Sequence, residues 1–551
     1  MRHKSVALHL QHKRMSLTRI NCRMAWLKSV PVMLAVCAAS EGLRADSSNT
    51  DDPILDLFVQ KGFVTQQEAE KVKAEAEAMH TNEMQMPQLP ESKWKISKGL
   101  KNVELFGDVR LRYEDRSASD PANNNIDLQR IRYAIRVGLR GEVFDDFYYG
   151  LRVETSANPR SSWVSFGTSS SGTPYEGPYG KSTAGINIGQ VYLGWRPEKW
   201  LDITLGKMPN PLFTTPMVWS PSLNPEGAAE HLYYTVGEAD LFANFGQFLY
   251  EDVNPSSASG GLGINGLTGQ NENDIFQLAW QAGLKYHFTT NISAKVGATL
   301  YKYAGMQRSS ITSGTALAPY FGDPYVGEGA FLLNPGFAPG YSGYGTSSTL
   351  PGYGSEGYPI NQVGLDDLLV LEIPLQIDFK LNKVDAQVFG DFAYNLEGTQ
   401  RAEQAAAAYT YYLSQALNST VKSSPFSPQT HDDKAYQIGF AIASSGNLGM
   451  VYGSNVRKHA WELRSYWQHV EQYSLDPNII DTDFFEGVEN LQGVYVGLAY
   501  GFTDNLIGTF RYGYAERIND KLGTGGSGQD IPQINPVNSF NLLQLDLTFN
   551  F

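Results

Sequence analysis

From residue 103 to the C-terminus, apolar and polar side chains alternate with a period of two in one segment after another. In VELFGDVRLRY (103–113), Val103, Leu105, Val109 and Leu111 share one face, and Glu104, Asp108, Arg110 and Arg112 share the other. Successive strand residues point to opposite sides of a sheet, so one face suits an apolar phase and the other suits water. IFQLAWQAGLKYHF (275–288) sets Phe276, Leu278, Trp280, Leu284, Tyr286 and Phe288 against Gln277, Gln281, Lys285 and His287. VLEIPLQIDFKL (370–381) repeats the pattern with Pro374 on the inward set, which predicts an irregular ladder there. In the last segment, Leu543, Leu545, Leu547, Phe549 and Phe551 alternate with Gln544, Asp546, Thr548 and Asn550.

A soluble sandwich also alternates, but it does not accommodate a connection as long as 304–367, rich in Gly, Tyr, Ser and Pro. Past the N-terminal region, no segment supplies the ~18 consecutive apolar residues of a membrane-spanning helix. A membrane crossing must then use strands closed into a barrel, which leaves no backbone edge unpaired. Composition fits that demand: 31 Tyr, 27 Phe and 54 Gly accompany only 18% charged residues, because only alternate positions face lipid. Tight turns near 145–146, 197–198, 290–291, 382–383 and 504–505, with a looser one across 445–458, alternate with long connections. Parity fails between 208 and 240 unless a weak strand near 230–236 turns at Gly237-Glu238. The expected fold is all-β: a transmembrane antiparallel barrel of about sixteen strands, preceded by a short N-terminal helical segment.

Several stretches carry a resemblance. ILDLFVQKGFVTQQEAEKVKAEAE near the N-terminus, FGDVRLRYEDR with RIRYAIRVGLRGEV, LGKMPNPLF, VFGDFAYN, and DTDFFEGVENLQGVYVGLAYGFTDNL together resemble the putative porin family of Gram-negative bacteria. That family is similar in character to phosphate-selective and other substrate-specific porins. The resemblance implies a non-enzymatic outer-membrane channel for passive diffusion of small hydrophilic solutes or ions. It implies no catalytic residue and no cofactor. The competing expectation is a structural outer-membrane protein that tethers the membrane to the cell wall or a partner through its N-terminal helices.

Three regions follow from this. Residues 1–45 read as a signal peptide, with a basic lead and the apolar stretch VPVMLAVCAA (30–39), and the true start is expected at Met24 or Met15. Residues 46–95 read as a periplasmic helical segment and linker, in which Thr65 and Glu68 form a capping box. Residues 96–551 form the barrel. Both cysteines, Cys22 and Cys37, fall in the first region, so the mature chain is expected to lack thiol chemistry and disulfides.

The inward faces of the first three strands concentrate charge. Arg110, Arg112, Arg130, Arg132, Arg136, Arg140 and Arg152 share them with Glu104, Asp108 and Glu154, and all are expected to line the pore. Such a wall either biases ion choice through its field or stiffens the barrel as a cross-strand ion-pair network. The proline-rich stretch 205–227 is a candidate constriction or a rigid external loop. Residues 399–416 suggest a helix within a loop. Asp481, Asp483, Glu486 and Glu489 offer oxygen ligands, but the spacing is not that of a calcium loop; a solvated loop is expected and no metal site. No zinc-protease, nucleophile-elbow or phosphate-loop motif is present. A net charge of -14 disfavours nucleic acid as a partner. The expected partners are outer-membrane lipid, the barrel-assembly machinery, which would read Phe549 and Phe551 as its signal, and, by analogy, two further copies in a homotrimer.

Overall fold

The computed structural model describes residues 102–119, 123, 125–143, 146–156, 161–167, 185–251, 275–304, 368–403, 432–454, 456–520, 522, 524 and 537–551. The expected signal peptide, the helical segment 46–95, the long connection 305–367 and most of the 399–416 helix lie outside them. Of that last segment, residues 399–403 are described and are helical.

Every sizeable described element is a strand. In chain order these are β1 (Glu104–Ser119), β2 (Asn125–Val143), β3 (Phe147–Ser156), the two-residue β4 (Val164–Ser165), β5 (Gly185–Glu198), β6 (Leu201–Lys207), β7 (Glu226–Val236) and β8 (Ala239–Glu251). There follow β9 (Ile275–Thr289), β10 (Ile292–Ala304), β11 (Leu369–Leu381), β12 (Val384–Asn395), β13 (Lys434–Ser444), β14 (Trp461–Val470), β15 (Leu491–Gly501), β16 (Leu506–Arg517) and β17 (Ser539–Asn550). Apart from β4, which only bridges onto β2, each strand pairs antiparallel with its neighbours in sequence. β17 pairs with β1 from Asp108↔Asn550 to Ser119↔Ser539, so sixteen staves close into a barrel.

The strand that parity required is present as β7, turning into β8 through Gly237 with φ 58°. Positive φ there is why glycine occupies the turn. Opposite Pro374 the ladder is interrupted: Val296↔Leu375 is followed directly by Thr299↔Glu372, because proline has no N–H to offer.

The alternation sorts side chains as a membrane barrel requires. Leu545, Leu547 and Phe549 are exposed on the outside, whereas Gln544, Asp546 and Thr548 are buried within. Near the tight turns the outer surface carries exposed Trp195, Trp200, Tyr234, Tyr286, Phe288, Tyr500, Phe502, Phe549 and Phe551. This is an aromatic girdle at one membrane interface. The C-terminal residue extends the closing pair: the Phe551 and Gly107 amides each donate to the other's carbonyl at 3.0 Å.

Candidate functional site: the bridged lumen

The 208–225 loop, which joins β6 to β7, turns into the barrel. The Phe213 amide donates to Gln281 Oε1 at 2.9 Å, and Gln281 Nε2 donates back to the Phe213 carbonyl at 2.8 Å. Thr214 donates to Glu372 and Thr215 to Asp391, each at 2.5 Å. Trp219 packs against Phe248 and Tyr301, with ring centroids 6.0 and 6.4 Å away. Side chains from β9, β11 and β12 therefore hold this loop to one wall.

The 471–490 loop, which joins β14 to β15, also turns inward and anchors on the opposite wall. The expectation of a solvated acidic loop is overturned: Glu486 and Glu489 are buried, and the carboxylates of this loop accept from barrel groups or from the loop's own backbone. Arg116 donates to Glu486 at 2.5 Å, and Arg112 donates to Asp483 at 3.0 Å. Phe485 and Glu486 hold φ of 66° and 60°, a left-handed conformation that costs energy in a non-glycine residue. The Arg116–Glu486 contact and the Phe484–Phe485 ring contact at 4.4 Å offset that strain.

The two loops meet in the lumen. The Ser220 amide donates to the Ile479 carbonyl at 2.6 Å, and the Asp481 amide donates to the Pro216 carbonyl at 3.1 Å. A continuous set of contacts thus crosses the interior from β9, β11 and β12 to β1. From the tight-turn side, the connection after β13 also folds in: Val451 donates to Glu462 at 2.8 Å and accepts from Arg511 at 2.7 Å.

The arginines read from the sequence fall on the inner face of β1–β3, and each meets a carboxylate. Arg110 and Arg136 meet Asp108, Arg130 and Arg132 meet Glu114, Arg112 meets Asp546, Arg140 meets Glu104, and Arg152 meets Glu154. The separations run from 2.5 to 3.5 Å. Four further groups complete this wall in pairings that sequence reasoning did not anticipate. Arg116 lies beyond the expected end of β1; Asp483, Arg511 and Asp546 arrive from distant segments.

Burial, and then the neighbouring Asp483 carboxylate, push Asp481 up to about 7. Burial also disfavours charge on Asp483, but the Arg112 and Arg116 guanidiniums hold it well below the usual carboxylate range. One loop therefore places a carboxyl that titrates at about 7 beside a fixed anion.

Residues 113–320 match the family described as "putative porin". The match spans 208 of the 551 residues and supports reading the chain as an outer-membrane porin. Among similar solved structures, in-vitro folded OmpT of Vibrio cholerae shares 11% identity, covers 83% of this chain and 100% of its own, and has a TM-score of 0.36. OmpF of Salmonella typhi, in complex with daunomycin, shares 8% identity over 82% of this chain and 98% of its own, with a TM-score of 0.39. A mutant porin of Rh. blastica shares 8% identity over 82% and 100%, with a TM-score of 0.33. No curated protein matches. The expectation of a structural tether is not favoured beside this family match.

Proposed function

We propose that this porin is a passive, non-catalytic channel for small hydrophilic solutes and ions, with its aperture set by the 208–225 and 471–490 loops. The observation that carries the proposal is the pair of loop-to-loop hydrogen bonds at Ser220–Ile479 and Asp481–Pro216. In this reading the charged face of β1–β3 lines the path beside the bridge. Because its arginines are balanced by carboxylates at close range, it acts first as a stiffening network and only weakly as an open positive field.

Planar-bilayer recording tests the reading. Purified protein should give discrete conductance steps, and removal of residues 210–222 should raise the step size severalfold; an unchanged step would refute the bridge as the aperture. Replacing Arg132 and Arg136 by Ala frees Glu114 and Asp108 of one cation each. The reversal potential in a salt gradient should then shift toward cations, by an amount that shrinks as salt screens the wall. We further propose a homotrimer; native mass measurement of the detergent complex should give three times the protomer mass.

A further inference from the structure

Along most staves the outer wall of the barrel carries no charge. On β9 the outward positions from Phe276 to Phe288 are all apolar or aromatic, and so are those of β11 from Leu371 to Leu381. The face of β6, β7 and β8 departs from this pattern. Glu230 is the fifth of the eleven residues of β7, and register sets it between Ile203 of β6 and Phe245 of β8. Directly paired residues share a face of the sheet. Phe245 is exposed on the outside, as is Leu205 two positions beyond Ile203, so Glu230 also points away from the lumen. A strand of about 9–11 residues crosses the hydrocarbon. A carboxyl halfway along β7 therefore stands within the apolar belt.

Three more polar groups share that face. Gln247 of β8 donates to Glu230 Oε2 at 3.0 Å, and Lys207 of β6 donates to Glu226 of β7 at 2.5 Å. Among the described residues Gln247 is the group that bonds Glu230, and it reaches one oxygen. Lipid tails offer no hydrogen bond to the other, and ionisable groups on the lipid face of a barrel are destabilising. Beside the patch the wall is flat: Ala243 of β8 pairs with Ala282 of β9, which pairs with Ala298 of β10. Small side chains let a second wall approach closely.

An occupant of this face must cross the membrane at the same depth and bring both donors and acceptors. A second copy of this chain does both. Acceptors lie on the central strand and a donor lies on each flanking strand, so the face is complementary to itself. Resting on the homotrimer proposed above, we propose that copies of this chain meet through the outer face of β6, β7 and β8, with Gln247 and Lys207 of one protomer donating to Glu230 and Glu226 of the next.

Glu230→Leu and cysteine cross-linking, both on the detergent-purified full chain, test this. Leucine suits lipid better than a carboxyl does, so on a lipid-facing wall Glu230→Leu would leave assembly as it is or strengthen it. At a contact between copies it removes the acceptor, and the share of protein at three times the protomer mass should fall severalfold. In a C22S/C37S background, A243C should give covalent dimers with a short bis-maleimide, whereas L498C, on β15 across the barrel, should give none. Cross-linking leaves Glu230 intact and so decides the question even if Glu230→Leu folds poorly. A monomeric parent overturns the proposal. So do Glu230→Leu oligomers as abundant as the parent's, or cross-linking at Ala243 no stronger than at Leu498. Bilayer recording on the same preparations separates the claims. Monomers that still give conductance steps sink both this face and the homotrimer and spare the channel. A homotrimer that survives Glu230→Leu and does not cross-link through A243C sinks this face alone.

Discussion

Glu114 gathers four guanidiniums around one fully buried carboxylate: Arg130 at 2.5 Å, Arg116 at 3.1, Arg132 at 3.5 and Arg112 at 3.6. Glu114→Gln keeps the shape and removes the shared anion, leaving neighbouring cations underbalanced. Breaking one side of a buried ion cluster costs about 3 kcal/mol or more; denaturant unfolding in micelles should show the loss, and an unchanged midpoint would mean that lumen water screens the cluster. Asp481 makes a pH prediction. With the loop docked its carboxyl titrates at about 7, against an ordinary value of 3.8. The released loop binds fewer protons between those values, so docking is strongest at low pH and weakens as pH rises from 3.8 to about 7. Protease sensitivity of the 471–490 loop should rise across that window and become flat in Asp481→Asn. Strand parity located Arg112, Arg130 and Arg132 in advance. It missed Arg116 because the expected strand ends at residue 115, and only pairing on both sides, to β2 and β17, keeps the chain extended beyond it.

At the scale of elements, the prolines of the 208–225 loop make it stiff wherever it points. Its direction is decided by partners that lie far away in sequence: Gln281, Glu372 and Asp391. Thr214 and Thr215 carry two of those attachments through hydroxyls alone. Replacing both with Val preserves volume and leaves two buried carboxyl groups short of a donor, a loss of about 1–3 kcal/mol for each buried acceptor left unmade. The double variant should show larger or noisier conductance steps with the barrel intact; quiet steps of parental size would place the aperture elsewhere. The 471–490 loop was misjudged for a related physical reason. Its acidic residues look solvated when counted alone, but Arg112 and Arg116 pair with two of them once the barrel closes.

Closure is the property of the whole molecule, and it depends on a small contact at the tight-turn rim. A Cβ on Gly107 would sit 2.3 Å from the Arg136 carbonyl oxygen and 2.7 Å from the Phe551 ring. Gly107→Ala should therefore disturb the seam between β1, β2 and the C-terminus. We propose that Phe551 and Phe549 also serve the assembly machinery, since both rings lie exposed on the outer surface. Deleting Phe551 removes two seam hydrogen bonds and one of those rings. Outer-membrane levels should fall severalfold for both variants, while molecules that insert conduct normally; parental levels of the truncated chain would count against this account.

The sequence by itself determined the barrel, because period-two alternation is a local property of each strand and the parity of turns fixes how strands must connect. It marked Pro374 as a break and Arg112 as inward for the same local reason. Which loops enter the lumen and which carboxylate each arginine meets were decided only by tertiary structure. Those outcomes depend on register across the sheet and on residues hundreds of positions apart, such as Arg112 with Asp546, which come together only when the last strand closes on the first.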